Sequence, residues 1–143
     1  MARYVTTIAS TLAPAEAFAY LADFANAAAW DPGVREARLS GDRPPGEGAV
    51  FDLVARFAGR DVPLRYTTVV HDPPRRVVFE AERPSFRARD EITVEPAGDG
   101  STVRYDATLA FRGVARLLDP LVGLVFARTG AHAVAGLRAA LNP

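Results

Sequence analysis

The chain has 143 residues, of which 49% are hydrophobic and 24% charged, a composition typical of one globular domain with a substantial core. Seventeen basic residues balance seventeen acidic ones without any run of like charge, which argues against a nucleic-acid-binding protein and against electrostatic docking on anionic lipid. The absence of cysteine excludes disulfides, thiolate metal sites and cysteine nucleophiles. We therefore expect a single domain over residues 1–143.

The N-terminal segment has no continuous apolar stretch of the kind found in signal peptides. The apolar stretch at 117–135 is interrupted by Asp119, Pro120, Arg128 and His132, so it does not predict a membrane span. A cytoplasmic protein is the expectation. All of the basic residues are arginine, which together with many Ala, Gly and Pro residues indicates the coding bias of a GC-rich bacterium.

The first segments predict a strand followed by two short helices. Arg3–Ile8 alternates and is rich in Val, Ile and Thr, which favours a strand. Pro14 suits the first position of a helix because its φ angle is already fixed near the helical value. A second short helix is expected to begin at a cap, Asp23, and to end at Trp30, where the sequence DPG follows.

Between residues 34 and 111, short apolar segments alternate with turns that are rich in Gly, Pro and Asp. Strands joined by such short connections must pair antiparallel, since parallel neighbours need a long crossover. The six strands are predicted at Val34–Leu39, Ala49–Phe57, Val62–His71, Arg76–Ala81, Phe86–Glu95 and Thr102–Phe111.

From Val114 to about Leu141 the pattern is helical, and Pro120 is expected in the first turns or at a kink. The order of strand, two short helices, six strands and one long helix predicts an α+β fold. In this fold a seven-stranded, curved antiparallel sheet curls around the C-terminal helix.

The segment STLAPAEAFAYLADFANAAAWDPGV (10–34) resembles the start of the polyketide cyclase/dehydrase-like branch of the START/Bet v 1 (SRPBCC) superfamily. The resemblance continues through PPGEGAVFDL, HDPPRRVVFEA and GDGSTVRYDATLAFRG into the long helix. It implies a helix-grip fold with a cavity between sheet and helix. The family includes carriers, cyclases, dehydratases and coenzyme Q-binding proteins, so the ligand stays open. The matching positions in the first segment are Ala13, Pro14, Phe18, Leu21, Asp23, Asn26 and Trp30.

Alternation along the predicted strands places aromatic and aliphatic residues on one face, and arginines and acids that can pair across strands on the other. We expect the apolar face, with residues of the long helix, to line the cavity. The predicted ligand-binding residues are Phe51, Leu53, Phe57, Leu64, Tyr66, Phe79, Phe86, Asp90, Ile92, Tyr105, Leu109, Leu121, Val125 and His132.

Asp90 is the most informative position, because it falls on the apolar face of its strand. A bare charge there is too costly, so the carboxyl must be paired, protonated or reached by water. One interpretation is that a nearby Arg or Tyr, or solvent at a frayed strand end, satisfies it. The other is that Asp90 anchors a ligand hydroxyl or ketone, or acts as an acid or base.

Tyr66, Tyr105 and His132 complete the candidate catalytic groups. The tyrosines are either core rings with a hydrogen-bonded hydroxyl or ligand-contacting groups. His132 lines the cavity only if its side of the helix faces inward. His71 begins a Pro-rich turn and is expected to be exposed, and Trp30 is expected to be a structural plug between the short helices and the sheet.

Two distant histidines without cysteine predict no metal site, and the sequence contains no GxSxG, Walker A or GxGxxG motif that would indicate a serine hydrolase or a nucleotide cofactor. No cofactor is predicted. The first hypothesis is therefore a protein that binds an apolar or partly oxygenated small molecule such as a polyketide, isoprenoid or lipid. The alternatives are a polyketide cyclase or dehydratase, and a macromolecular interaction protein with an incidental cavity. A monomer or a homodimer fits each of them.

Overall fold

The computed structural model describes residues 1–57 and 59–143, apart from the side chains at positions 118, 119, 121 and 122. Within these described residues, seven strands and three α-helices form the fold. In chain order they are β1 (Ala2–Ser10), α1 (Pro14–Ala22), α2 (Ala27–Trp30), β2 (Val34–Ser40), β3 (Val50–Phe57), β4 (Arg60–Asp72), β5 (Arg76–Arg83), β6 (Phe86–Ala97), β7 (Gly100–Phe111) and α3 (Asp119–Leu141).

The strands form one sheet in the order β1-β7-β6-β5-β4-β3-β2, and every neighbouring pair is antiparallel. The C-terminal helix α3 packs against β1 and α2, while α1 packs against β6 and β7. The predicted architecture, a curved seven-stranded sheet around a long C-terminal helix with two short helices after the first strand, is confirmed.

The short helices follow the predicted capping chemistry. Pro14 occupies the first turn of α1, and the side chain of Asp23 accepts a hydrogen bond from the N–H of Ala25 at 3.2 Å. Asp23 thereby caps a 3₁₀ turn, Phe24–Asn26, which leads directly into α2. The Asn26 side chain ties this segment to α1 by donating to the carbonyl oxygen of Tyr20.

The long helix begins later than its sequence pattern predicts. A 3₁₀ segment, Gly113–Leu118, precedes α3, so the prediction of regular helix from Val114 is wrong at its start. Pro120 falls in the first turn of α3, where a backbone N–H would have no acceptor within the helix, so the proline costs no hydrogen bond there. Within the preceding segment Val114 and Leu117 are exposed.

The outward face of the sheet carries the predicted cross-strand ion pairs. Arg65 pairs with Asp52 between β4 and β3, and Arg87 pairs with Glu80 between β6 and β5. These arginine side chains are exposed, so solvent screens each pair and the pair contributes little to the stability of the fold. The pairs therefore identify the solvent side of the sheet more than they hold it together.

A bulge in β4 changes the position of His71. The β4–β5 register shifts between Thr68 and Val70, and the alternation moves by one residue. The ring of His71 consequently packs against that of Phe18 on α1, with ring centroids 5.3 Å apart. The expectation of an exposed His71 is wrong, because the bulge turns it toward the helix.

The end of α3 is fastened to β1 by side-chain hydrogen bonds. The Ser10 hydroxyl donates to the carbonyl oxygen of Leu141 at 2.7 Å. The Asn142 side chain donates to the carbonyl oxygen of Ala9 and accepts from the N–H of Thr11. These contacts fix the position of α3 across the concave side of the sheet.

Candidate ligand-binding site

A cavity of about 500 Å³ lies between the sheet and α3. This volume is within the usual range for sites that hold drug-sized ligands. Its walls come from the inner faces of β3, β4, β6 and β7, from one side of α3, and from α2 with the 3₁₀ turn before it. The walls are mostly aliphatic and aromatic, and the polar groups among them are few.

Asp90 and Tyr105 form the central polar pair of the cavity. Ile92, two residues from Asp90 on β6, is paired with Tyr105 on β7, so Asp90 and Tyr105 are diagonal neighbours on one face of the sheet. The Tyr105 hydroxyl donates to Asp90 Oδ2 at 2.6 Å. Both residues line the cavity.

Burial raises the pKa of Asp90 from 3.8 to about 7. The hydrogen bond from Tyr105 opposes this shift because it stabilises the carboxylate, and the charges of Asp31 and Asp106 add to it. Asp90 therefore titrates near neutral pH, where an ordinary aspartate is ionised. The same burial, with the charge of Asp90, raises the pKa of Tyr105 well above its ordinary value, so its hydroxyl keeps its proton.

Tyr66 contributes a hydroxyl that has no hydrogen-bond partner among the described residues. Its ring is 7% exposed and lines the cavity, and it contacts Phe24 edge-on at 5.1 Å between ring centroids. Burial and the charges of Asp90 and Asp31 raise the pKa of Tyr66, so this hydroxyl is a donor at neutral pH. A donor on the cavity wall without a protein partner is a group that a ligand oxygen would satisfy.

Asp31, immediately after α2, is a second carboxyl at the cavity wall. Burial raises its pKa, and the N–H of Gly33, 2.8 Å from Oδ1, partly opposes that shift. Beside it, Trp30 is 5% exposed and meets Tyr105 edge-on. Trp30 therefore joins α2 to the sheet as predicted, and it also lines the cavity.

Nine of the fourteen predicted ligand-binding residues line this cavity. The side chain of Leu121 lies outside the described residues. The nine residues are Leu53, Phe57, Leu64, Tyr66, Phe86, Asp90, Tyr105, Leu109 and Val125.

Phe51, Phe79 and Ile92 are buried core residues that do not line the cavity, contrary to the expectation. Phe24 stacks on Phe79 at 4.2 Å between ring centroids and meets Phe51 edge-on, so the turn after α1 covers these rings. The helix α1 packs over β6, where Ile92 lies. The short helices therefore fill one end of the interior and restrict the cavity to the other.

His132, which lines the cavity only if its side of the helix faces inward, is exposed and does not line it, so it is not among the wall residues. The α3 residues on the wall are centred on Gly130, Ala133 and Leu137, and Val125 lies at the margin of this stripe. Seven residues advance a helix by two turns less about 20°. His132 is thus rotated beyond Val125, away from the sheet.

Several wall residues were not predicted from the sequence. Phe24, Trp30 and Asp31 reach the cavity because the short helices fold over one end of the sheet. Arg56 and Arg60 reach it from the β3–β4 hairpin, although strand alternation places Arg56 on the outward face. In the sequence, the one sign that this segment contributes to a site is Asp31, a carboxyl that lies between Trp30 and Pro32.

The family model described as polyketide cyclase / dehydrase and lipid transport matches residues 1–142. The chain belongs to this family. The sequence resemblance is thereby confirmed over the whole chain. No curated protein matches the sequence significantly.

Solved structures resemble this family member closely in fold and distantly in sequence. A START superfamily protein from Mycobacterium smegmatis has a TM-score of 0.78 at 12% identity, over 97% of this chain and 96% of that one. The Zhui aromatase/cyclase from Streptomyces sp. R1128 has a TM-score of 0.76 at 14% identity, over 97% and 92%. The protein TTHA0849 from Thermus thermophilus has a TM-score of 0.76 at 18% identity, over 98% and 95%. At these identities the likeness establishes the fold alone.

Within the described part of the chain, no helix combines the length and apolarity needed to cross a bilayer. Among those same residues, no three His, Cys, Asp or Glu side chains come together as a possible metal-binding group. The polar side chains of the cavity wall are two carboxyls, three tyrosines, the arginines of the β3–β4 hairpin and four smaller hydroxyl residues, Thr6, Ser85, Thr108 and Thr129.

Proposed function

We propose that this family member binds one largely apolar small molecule that carries a neutral oxygen group at its inner end. The observation that carries the proposal is the pairing of Asp90 with Tyr105 beside the unpartnered hydroxyl of Tyr66, in a cavity whose walls are otherwise mostly apolar. Protonated Asp90 and Tyr66 are donors, so they suit a ketone, quinone or hydroxyl oxygen. An apolar ligand body would be held by the surrounding aliphatic and aromatic side chains.

The expected affinity is moderate. Burying ~300 Å² of apolar ligand surface contributes about 7 kcal/mol at 25 cal/mol per Å². The loss of ligand and side-chain freedom removes much of this gain, whereas a satisfied Tyr66 hydroxyl restores about 1 kcal/mol. The dissociation constant should therefore be of micromolar order.

Native mass spectrometry of freshly purified protein tests for a co-purified small molecule directly. A matched pair of probes, a phenol of three fused aromatic rings and its parent hydrocarbon, then tests the role of the polar end. The phenol should bind about five- to tenfold more tightly, and the difference should shrink in Tyr66→Phe. Tyr20→Phe is the control, because Tyr20 is only partly buried and does not line the cavity. If lipids, quinones and aromatic polyketides all fail to bind or to shift the melting temperature, the proposal is wrong.

A second candidate function, a cyclase or dehydratase acting on a poly-keto substrate, is favoured by the pKa of Asp90, about 7. A general base is most effective when its pKa is close to the working pH. Ionised Asp90 would remove a proton from the carbon between two ketones, and the Tyr66 hydroxyl would donate to the oxygen of the resulting enolate. The carbanion carbon would then attack a distant ketone, and Asp90 would return its proton to the new alkoxide.

This candidate is tested by turnover of a poly-keto substrate. Asp90→Asn should lower the rate by about a hundredfold or more, and the wild-type rate should rise with pH through about 7. Tyr20→Phe should retain full activity. Turnover that survives Asp90→Asn together with Tyr66→Phe would exclude this mechanism and leave the binding function unaffected.

A further inference from the structure

The cavity opens at one identifiable edge of the sheet. Arg56, Arg60 and Ser85 are wall residues that are also exposed. Arg60 pairs with Phe57 where β3 meets β4, and Phe86, next to Ser85, pairs with Phe111 at the end of β7. Because the strands are antiparallel, these positions share one edge, and we refer to it as the cavity mouth.

The mouth carries a positive charge that the protein's own carboxylates do not neutralise. Asp61 lies 2.6 Å from Arg35 and 3.7 Å from Arg56, so it is engaged mainly by Arg35. No carboxylate of the described residues lies within ion-pair distance of Arg60. Arg35 and Arg56 thus share Asp61, and Arg60 has no acidic partner among the described residues, although the whole chain is formally neutral.

The inner end of the cavity has the opposite character. Asp90 lines it beside the hydroxyls of Tyr66 and Tyr105, and burial raises the pKa of its carboxyl. A ligand anion placed there would lose its hydration and lie beside a carboxyl that already ionises with difficulty. The cavity therefore favours an anion at the mouth and opposes one at the inner end.

We propose that the ligand is an elongated amphiphile with a single carboxylate, bound with its head group at Arg56 and Arg60 and its apolar body directed inward. This inference rests on the proposed function and adds the chemical class and orientation of the ligand. Guanidinium groups match carboxylates as paired donors. Along β4, six residues separate Arg60 from Tyr66, a span of about 20 Å, so a long acyl chain fits between the two polar ends.

The test compares hexadecanoic acid with its methyl ester, which has the same chain and no charge; both lack an inner oxygen, so the pair tests the head group alone. Trp30 is the only tryptophan of the chain and lines the cavity, so its fluorescence reports binding. Wild-type protein should bind the acid about three- to tenfold more tightly than the ester. The double variant Arg56→Gln/Arg60→Gln should remove this preference and leave ester binding unchanged.

Arg75→Gln is the matched control, because Arg75 is an exposed arginine in the β4–β5 turn at the opposite edge of the sheet. It should retain the full preference for the acid. In the wild type, raising the salt from about 0.02 M to about 0.5 M should weaken binding of the acid alone, since the mouth is open to solvent.

Equal affinity for acid and ester in all variants would overturn the head-group assignment and leave the proposed function standing. Failure of both lipids to bind, while the aromatic phenol binds, would overturn it as well and again spare the proposed function. If neither the two lipids nor the phenol binds, both the head-group assignment and the proposed function are wrong.

Discussion

The carboxyl of Asp90 is held between burial, which favours its neutral form, and the Tyr105 hydroxyl, which favours its charged form. Burial prevails, and the folded-state pKa of about 7 exceeds the value of 3.8 expected in the unfolded chain. Neutral Asp90 therefore contributes stability that is fully present below about pH 4 and is lost as the pH rises through 7. The upper limit of this loss is about 4 kcal/mol.

Asp90→Asn should remove that pH dependence, because the amide stays neutral and its oxygen can still accept from Tyr105. Relative to wild type, the variant should gain unfolding free energy between pH 4 and 7, with no further gain above about pH 8. Urea unfolding at one-unit intervals measures the difference. The lowered pKa of Asp52 affects the stability of both proteins equally, whereas the repulsion of Asp90 by Asp31 and Asp106 is lost in the variant and is part of the measured difference. A difference that stays constant with pH would show that Asp90 ionises as an ordinary surface aspartate.

The residues of the site divide according to the kind of information that places them. Asp90, Tyr66 and Tyr105 were predictable because strand alternation alone assigns them to the inner face. Asp31 was not, since its position depends on how α2 folds over the sheet. Arg60 was not, because a hairpin end is read from sequence as a turn, and only the curvature of the sheet brings it to the cavity.

The helix α3 shows a similar division between what sequence predicts and what it does not. Its length was largely predictable, but its rotation about its own axis was not, because apolar residues occur on most of its sides. Leu124 is exposed, whereas Phe126, two residues later, packs on the core. The rotation is set by close backbone contacts at two glycines, Gly130 against the ring of Tyr4 and Gly136 against the carbonyl group of Trp30.

Gly136→Ala should disturb this docking, because a Cβ at position 136 would overlap the carbonyl oxygen of Trp30. The helix must then move away from α2, which we expect to lower the unfolding free energy by about 2–3 kcal/mol. Gly123→Ala in the same helix is the control, since a Cβ there meets no atom of the described residues within 4 Å. That change should stabilise the protein by up to about 1 kcal/mol, in line with helix propensity. Equal effects of the two substitutions on denaturant unfolding would contradict the close approach of α3 to α2.

Considered as a whole, the molecule separates packing from binding along its sheet. The half covered by α1 and the turn after it is filled by Phe24, Phe51 and Phe79, which are buried and in mutual contact. The other half holds the cavity under α3. The filled half supplies a large part of the core, so a wall residue that is only partly buried, such as Ala133, can change with little loss of stability.

Ala133→Phe tests this separation, because Ala133 lies on the cavity wall near the middle of α3. A phenyl ring at this position occupies part of the 500 Å³ volume and buries apolar surface that alanine lacks. Binding of the phenol or of hexadecanoic acid, followed by Trp30 fluorescence, should weaken at least about tenfold. The unfolding free energy of the ligand-free protein should stay within about 1 kcal/mol of wild type. Ala135→Phe, on the exposed side of the same helix, should leave both binding and stability nearly unchanged. A large loss of stability in Ala133→Phe would show that the wall is part of the core, and undiminished binding would place the ligand outside this cavity.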